Sequence, residues 1–262
     1  MKMSVMPFKK DLSESEKYGT ISEIIDFHTA LPYFNPVIPD NLRTIISNSG
    51  KMQDVKKGSV LFYENEFIDC LLLIHSGLIS VSLSNFNSNK PAIIGVLLPD
   101  NTVAGVATYI NRKHVPAILT AHKRSQIISI KCHDLNRLLT PLLKEDMLRY
   151  SAQCIKALAE SLFINNTATS KERLMFFYAA MVMYYDLADE GDGYVTIPNK
   201  YPRHVIRDSI YVCDAMMDRL MSDMIKKKAL VREEKKLRLK IDYVQNAMDW
   251  LRNRYVQKSE NL

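Results

Sequence analysis

Arg219 lies in a segment, Cys213 to Lys228, whose apolar residues Met217, Leu220, Met221, Met224 and Ile225 fall on one helical face. Off that stripe stand Asp214, Ala215, Asp218, Arg219 and Ser222. A guanidinium there can donate two hydrogen bonds to a guanine edge, and a carboxylate can accept one from cytosine. Around it are Arg203, Lys226, Lys227, Lys228, Arg232, Lys235, Lys236, Arg238 and Lys240, which suit phosphate contacts. Such contacts position a protein on nucleic acid without reading its sequence. From Pro198 to Leu262 there are 15 Lys+Arg and 9 Asp+Glu, so the whole net charge of +6 sits in the last quarter of the chain. That asymmetry suits a polyanionic partner, although a solvated basic tail gives the same count. The two Asp oppose the reading, because phosphates repel them. Each needs a base contact or a Lys or Arg partner, and Asp214 can also serve the helix dipole.

Other chemistry leaves few traces. The four cysteines, Cys70, Cys132, Cys154 and Cys213, form no C-x-x-C pair. Cys132-His133 sits at a strand end where side chains diverge, and the six His are scattered, so no metal site and no cofactor is expected. Cys154 suits a thiol sensor less well than a small buried hydrophobe. No Ser–His–Asp arrangement, P-loop or paired-carboxylate motif is evident, so no enzyme is expected. No run approaches the ~18 apolar residues of a spanning helix. Met1 to Lys17 is polar and lacks a secretory h-region, so no membrane contact and a cytoplasmic location are expected.

The elements that must position these residues follow from periodicity. Residues 1–20 read as a flexible extension. Ile21 to His28 predicts a short helix, and Asn41 to Ser47 a second with Asp40 as N-cap. Short apolar runs then recur at 59–63, 71–75, 78–83, 92–98, 117–120 and 126–130, the pattern of a β-sandwich or roll. Gly58, Gly77, Gly95 and Gly105 fall near the strand boundaries. A short helix is expected over Asp134 to Leu143 and a long one from Lys144 to about Ile164, with Met147, Tyr150, Cys154, Leu158 and Ser161 as its apolar stripe. Asn165-Asn166-Thr167 breaks it and marks the boundary between a domain at 21–165 and one at 166–262. Helix resumes near Ser170 and stops at Glu190-Gly191-Asp192-Gly193. A strand at Tyr194–Ile197, a helix at Arg203–Asp208, a turn, the Cys213–Lys228 helix and a hairpin of 230–231 with 237–241 follow. Helix, turn, helix and basic hairpin are the layout of a winged helix-turn-helix. Tyr243, Ala247, Trp250 and Leu251 predict one more helix.

The whole order resembles the cyclic-AMP receptor protein/FNR (CRP/FNR) superfamily of bacterial transcription regulators. Lys57 to Glu66 is similar to its K-G-x-x-[IL]-[FY]-x-x-G-[DE] opening, with Asn65 in place of glycine, and Ile68 to Val81 to its next strand pair with an S-G turn. The resemblance implies an α+β chain: an N-terminal double-stranded β-helix (a cyclic-nucleotide-binding-like β-roll), a long dimerisation helix and a C-terminal winged helix-turn-helix. It implies double-stranded DNA as partner, a homodimer along the stripe Met147, Tyr150, Cys154, Leu158 and Ser161, and RNA polymerase as a further candidate partner. Cyclic-nucleotide members carry G-E-[LIM]-[AG]-[LF] and then R-[ST]-A, whose Glu and Arg hold ribose and phosphate. Here Gly105 fits, Val106 replaces the Glu, and Val115-Pro116 replaces Arg-Ser, with Arg112 and His114 nearby. Cyclic AMP is therefore not the expected effector, and the effector stays unknown. Iron–sulfur sensing lacks its N-terminal cysteines. The favoured expectation is a sequence-specific DNA-binding regulator. The alternatives are a sensor or adaptor that binds a protein, and a cupin-like metalloenzyme that lacks its H-x-H ligands.

Overall fold

The computed structural model describes residues 30–83, 92–106, 109, 117–233 and 236–256. Its α+β architecture begins with β1 (Tyr33–Phe34), α1 (Asp40–Ser49), β2 (Lys51–Val55), β3 (Val60–Phe62), β4 (Cys70–Ser76) and β5 (Leu78–Leu83). β6 (Ala92–Pro99), β7 (Thr102–Ala104), β8 (Ile118–Ala121) and β9 (Ser125–Lys131) complete the strands of a roll. Two sheets face each other in the orders β1-β6-β5-β8-β3 and β2-β9-β4-β7. Leu72, Ile74, Ile79, Leu98, Leu119 and Ile127 meet between them. On the outer face of the second sheet Leu71, Leu73, Ile128 and Ile130 pack under Leu42, Ile46, Met147 and Tyr150. β4 is covered on both faces, which explains its unbroken Leu71-Leu72-Leu73-Ile74 run where a half-exposed strand would alternate.

The expected strands are present. β2 escaped the sequence reading because its Lys51-Met52-Gln53-Asp54 are exposed at a sheet edge. Asn65 has φ 67°, the left-handed conformation its replacement of glycine requires. Asp40 is not the N-cap of α1; Pro39 is, and Asp40 lies in the first turn paired with Arg43 at 2.7 Å. The expected Ile21–His28 helix lies outside the described residues.

Two helix boundaries differ. α2 (Cys132–Leu138) ends early and α3 (Pro141–Thr167) starts at a proline, with the Thr140 hydroxyl accepting from Leu143 N at 3.4 Å. Asn165-Asn166-Thr167 is not a break. α3 runs through it, and α4 (Ser170–Tyr184) opens three residues later on a Thr169–Glu172 capping box. β10 (Tyr194–Ile197), α5 (Arg203–Ser209), α6 (Asp214–Lys226), β11 (Leu230–Glu233), β12 (Lys236–Lys240) and α7 (Ile241–Val256) complete the chain. β12 lies between β10 and β11, antiparallel to both.

The core does not divide at residue 165. α4 is apolar around its circumference, with Phe177, Tyr178, Ala179, Ala180 and Met181 fully buried, as a helix enclosed on all sides must be. It packs against Tyr33, Phe34, Leu78 and Leu97 of the roll and against Val205, Ile210, Met217, Leu239 and Leu251 of the later elements. Phe34 and Phe177 rings lie 5.4 Å apart.

Polar bridges cross the same junction. Buried Asn165 accepts from the Tyr33 hydroxyl at 3.1 Å and donates to Ser209 O at 2.9 Å, tying β1 to the end of α5. Lys200 pairs with Asp100 at 2.5 Å, and Lys123 donates to Asn199 O at 2.7 Å. His122 Nε2 lies 2.8 Å from Ser80 Oγ, with the His204 ring 5.5 Å away. Burial, then the neighbouring His204, pushes the His122 imidazole down to about 4, against a raising influence from Asp208 and a further lowering one from Lys57. His122 is thus neutral in the folded chain, while in the unfolded chain it takes up a proton near 6.5. Stability is complete above that value and falls as pH drops from 6.5 towards 4. A loss of several degrees in Tm is expected between about pH 7 and about pH 5, and the His122→Gln variant should show a smaller loss in the same thermal scans.

Candidate nucleic-acid interface

α5 and α6 are joined by a tight turn. Tyr211 adopts φ 54°, and Val212 N donates to Arg207 O at 3.2 Å. Val205, Ile206, Ile210 and Met217 face the core and fix the two helices against α4 and the hairpin. Arg207 clamps the turn from outside, pairing with Asp208 and Asp214 at 2.6 Å each. Its hydrogen bonds to those carboxylates raise the guanidinium's proton affinity still further.

Asp214, Ala215, Asp218, Arg219 and Ser222 lie along α6, open to solvent to differing degrees. The two Asp are not bare: Asp214 pairs with Arg207, and Asp218 with Arg203. Both partners come from α5, so the carboxylates are offset within the protein. Arg219 has no carboxylate at ion-pair distance among the described residues.

The basic residues separate into two groups. Lys226, Lys228, Arg232 and Lys236 are exposed and, among the described residues, have no carboxylate at ion-pair distance. Arg203, Lys227 and Lys240 are paired, Lys227 with Asp223 at 2.8 Å and Lys240 with Asp242 at 3.5 Å. Arg238 does not fit a phosphate role. Its side chain is 11% exposed and meets Asp192 at 2.8 Å, Glu190 at 3.1 Å and Glu233 at 3.2 Å. Its guanidinium also lies 5.4 Å from the centre of the Tyr194 ring. The alternation of Leu237 and Leu239 placed Arg238 on the polar face, but sequence alone does not reveal that three acids from two segments converge there. Lys235 lies outside the described residues.

The long helix corrects another expectation. Met147, Tyr150 and Ser161 are buried against the chain's own roll. The Tyr150 hydroxyl accepts from Val103 N at 2.9 Å, and Ser161 Oγ accepts from Tyr33 N at 2.6 Å. Cys154 and Leu158 are half-buried on the same side, and burial pushes the Cys154 thiol up to about 12, far from a reactive thiolate. This stripe is therefore unavailable to a partner. An adjoining face, turned away from the roll, is apolar and open: Leu148 is 58% and Ile155 63% exposed, with Ala152, Ala159 and Leu162 between and beyond them.

The ligand cassette is altered where it is described. Gly105 has φ 86°, and a Cβ there would stand 2.9 Å from Cys70 O. Val106 is buried with Ile38, Leu71 and Leu135, so the position that would hold a ribose-binding carboxylate belongs to the core. Arg112, His114, Val115 and Pro116 lie outside the described residues. Among those described, no cluster of His, Cys, Asp and Glu could hold a metal ion, and no helix is long and apolar enough to cross a membrane.

Comparison with known proteins agrees with this architecture. Residues 52–141 match the cyclic nucleotide-binding domain family. No curated protein matches the chain. Among solved structures, a CooA variant from Carboxydothermus hydrogenoformans is 15% identical, with a TM-score of 0.64 over 83% of this chain and 99% of that one. FixK2 from Bradyrhizobium japonicum is 14% identical, with a TM-score of 0.62 over 78% and 96%. A CRP/FNR-family transcriptional regulator from Thermus thermophilus is 12% identical, with a TM-score of 0.58 over 76% and 98%. The chain thus has the fold of these structures, one of them a CRP/FNR-family regulator, as the sequence resemblance implied.

Proposed function

We propose that this protein is a sequence-specific DNA-binding transcriptional regulator that acts as a homodimer and does not depend on a cyclic nucleotide. The outer face of α6, with Arg219 at its centre and Lys226, Lys228, Arg232 and Lys236 flanking it, carries this reading. The pairing of Asp214 and Asp218 with arginines of α5 removes the chief ground for the protein-binding alternative.

The dimer uses the outer face of α3. Leu148, Ala152, Ile155, Ala159 and Leu162 are spaced alternately four and three apart, the repeat of a left-handed coiled-coil seam, and Asn166, whose amide donates to Leu162 O at 2.6 Å, holds the next position. A two-fold axis along this seam presents two α6 helices to a palindromic site. Effector independence rests on Val106, since a buried valine cannot replace the charged anchor of a cyclic nucleotide.

Selection of genomic fragments by the purified protein over a salt series tests the proposal. A discrete palindromic site is expected. Four unpaired cations in each of two protomers give a slope of log K against log salt of about −7, at ~0.9 per phosphate contact. Selection of no fragment above random DNA overturns the reading. A multi-degree rise in Tm with micromolar cyclic AMP overturns its effector-independent part.

A further inference from the structure

The hairpin and the helices beside it do not close completely. A cleft of about 550 Å³ opens between α4, α5, α6 and the β11–β12 hairpin, a volume within the usual range of small-molecule sites. Much of its wall is apolar: Tyr178 of α4, Ile206 of α5, Met217 and Met221 of α6, and Leu237 of β12. Methionine is unbranched and re-packs readily around a guest. The charge on the wall has one sign. Arg203, Arg232 and Lys236 line the cleft with exposed side chains, and among the described residues no Asp or Glu lines it. Arg203 pairs with Asp218, whereas Arg232 and Lys236 keep their charge for a ligand.

A second observation comes from the apolar wall. Tyr178 is fully buried, and its hydroxyl donates to the Met221 sulfur at 3.9 Å. A thioether is a weak acceptor, and buried hydroxyls ordinarily find a better one. Burial raises the proton affinity of the Tyr178 hydroxyl, so it stays a donor at physiological pH. Tyr178 and Met221 both line the cleft, so an oxygen that enters can take the place of the sulfur.

We infer that this cleft is a binding site for an apolar carboxylic acid that carries a second oxygen at its far end. Arg232 and Lys236 hold the carboxylate, Met217, Met221 and Leu237 cover the hydrocarbon body, and the Tyr178 hydroxyl donates to the far oxygen. Cations of one sign select an anion, and the apolar wall selects against small, strongly hydrated anions. The same two cations face DNA phosphates in the function proposed above. Resting on that reading, acid and operator compete for them, and the bound acid releases DNA.

Calorimetric titration of the full-length protein without DNA tests the site, with ω-hydroxydecanoate as the probe and decanoate, decanediol and inorganic phosphate beside it. One ω-hydroxydecanoate per chain is expected, with decanoate several-fold weaker and the diol and phosphate weaker by about tenfold or more. Tyr178→Phe should remove the difference between the two acids and leave decanoate unchanged. Lys236→Gln should weaken both acids about tenfold. Methyl spectra of labelled methionine should shift at Met217 and Met221. A diol that binds as well as the acid, or acid binding that neither variant alters, overturns the inference. Gel shifts then test the competition: ω-hydroxydecanoate should lower operator affinity, and an acid that binds without doing so overturns that part alone. A protein that binds the acid but selects no DNA site overturns the regulator reading and leaves the cleft standing.

Discussion

Ile155→Glu is expected to convert the proposed dimer to a monomer and to weaken binding to a palindromic site by about 10²–10⁴-fold. The side chain is 63% exposed at the middle of the outer α3 face, so the substitution disturbs no intramolecular packing. In the dimer, two glutamates would meet across the two-fold axis in an apolar seam, where like charges lose hydration without gaining partners. The loss of affinity follows because the second half-site contact becomes bimolecular once the protomers separate. Sedimentation gives the mass, gel shifts give the affinity, and an unchanged thermal transition shows that the fold is intact. A variant that remains dimeric would place the interface elsewhere.

Arg219→Ala should remove sequence preference at one position of each half-site, costing about 1–3 kcal/mol per contacted base pair. Arg219 lies on the outer side of α6 and has no carboxylate at ion-pair distance among the described residues, so its guanidinium is available to a base edge. Lys236→Ala provides the contrast. It should weaken all sequences alike and make the salt slope shallower by about 1 for each phosphate left without its cation. Binding of a randomised operator pool separates the two, because preference flattens for Arg219→Ala and keeps its shape for Lys236→Ala. If Arg219→Ala weakens every sequence equally, Arg219 is a phosphate contact and another α6 residue reads the bases.

The strands, the helix–turn–helix order and the outward-facing α6 residues were legible because each depends on local periodicity. Leu78 to Leu83 alternates, and Met217, Met224 and their neighbours repeat at helical spacing. Properties set by distant segments were not legible. α3 has two apolar stripes on adjoining faces, and periodicity cannot tell which one meets the chain's own roll; Tyr150 reveals it only through Val103 and Asn35. Arg238 reads as one more wing cation until Glu190, Asp192 and Glu233 converge on it. Asn165-Asn166-Thr167 has the composition of a break, yet Asn165 stays helical because its amide is satisfied by Tyr33 and Ser209. The Asp objection is resolved in the same way, by arginines from the preceding helix.

The enclosure of α4 has a mechanical consequence. Roll and reader share one set of buried side chains, so in the proposed dimer each protomer would move as a single lever pivoting on the α3 seam. Any signal received in the roll would then reach DNA by changing how the two protomers cross. A rotation of a few degrees, carried over the roughly 34 Å that separates successive half-sites, displaces a reading helix by only an ångström or two. Displacements of that size would decide whether two α6 helices are in phase with one turn of the duplex.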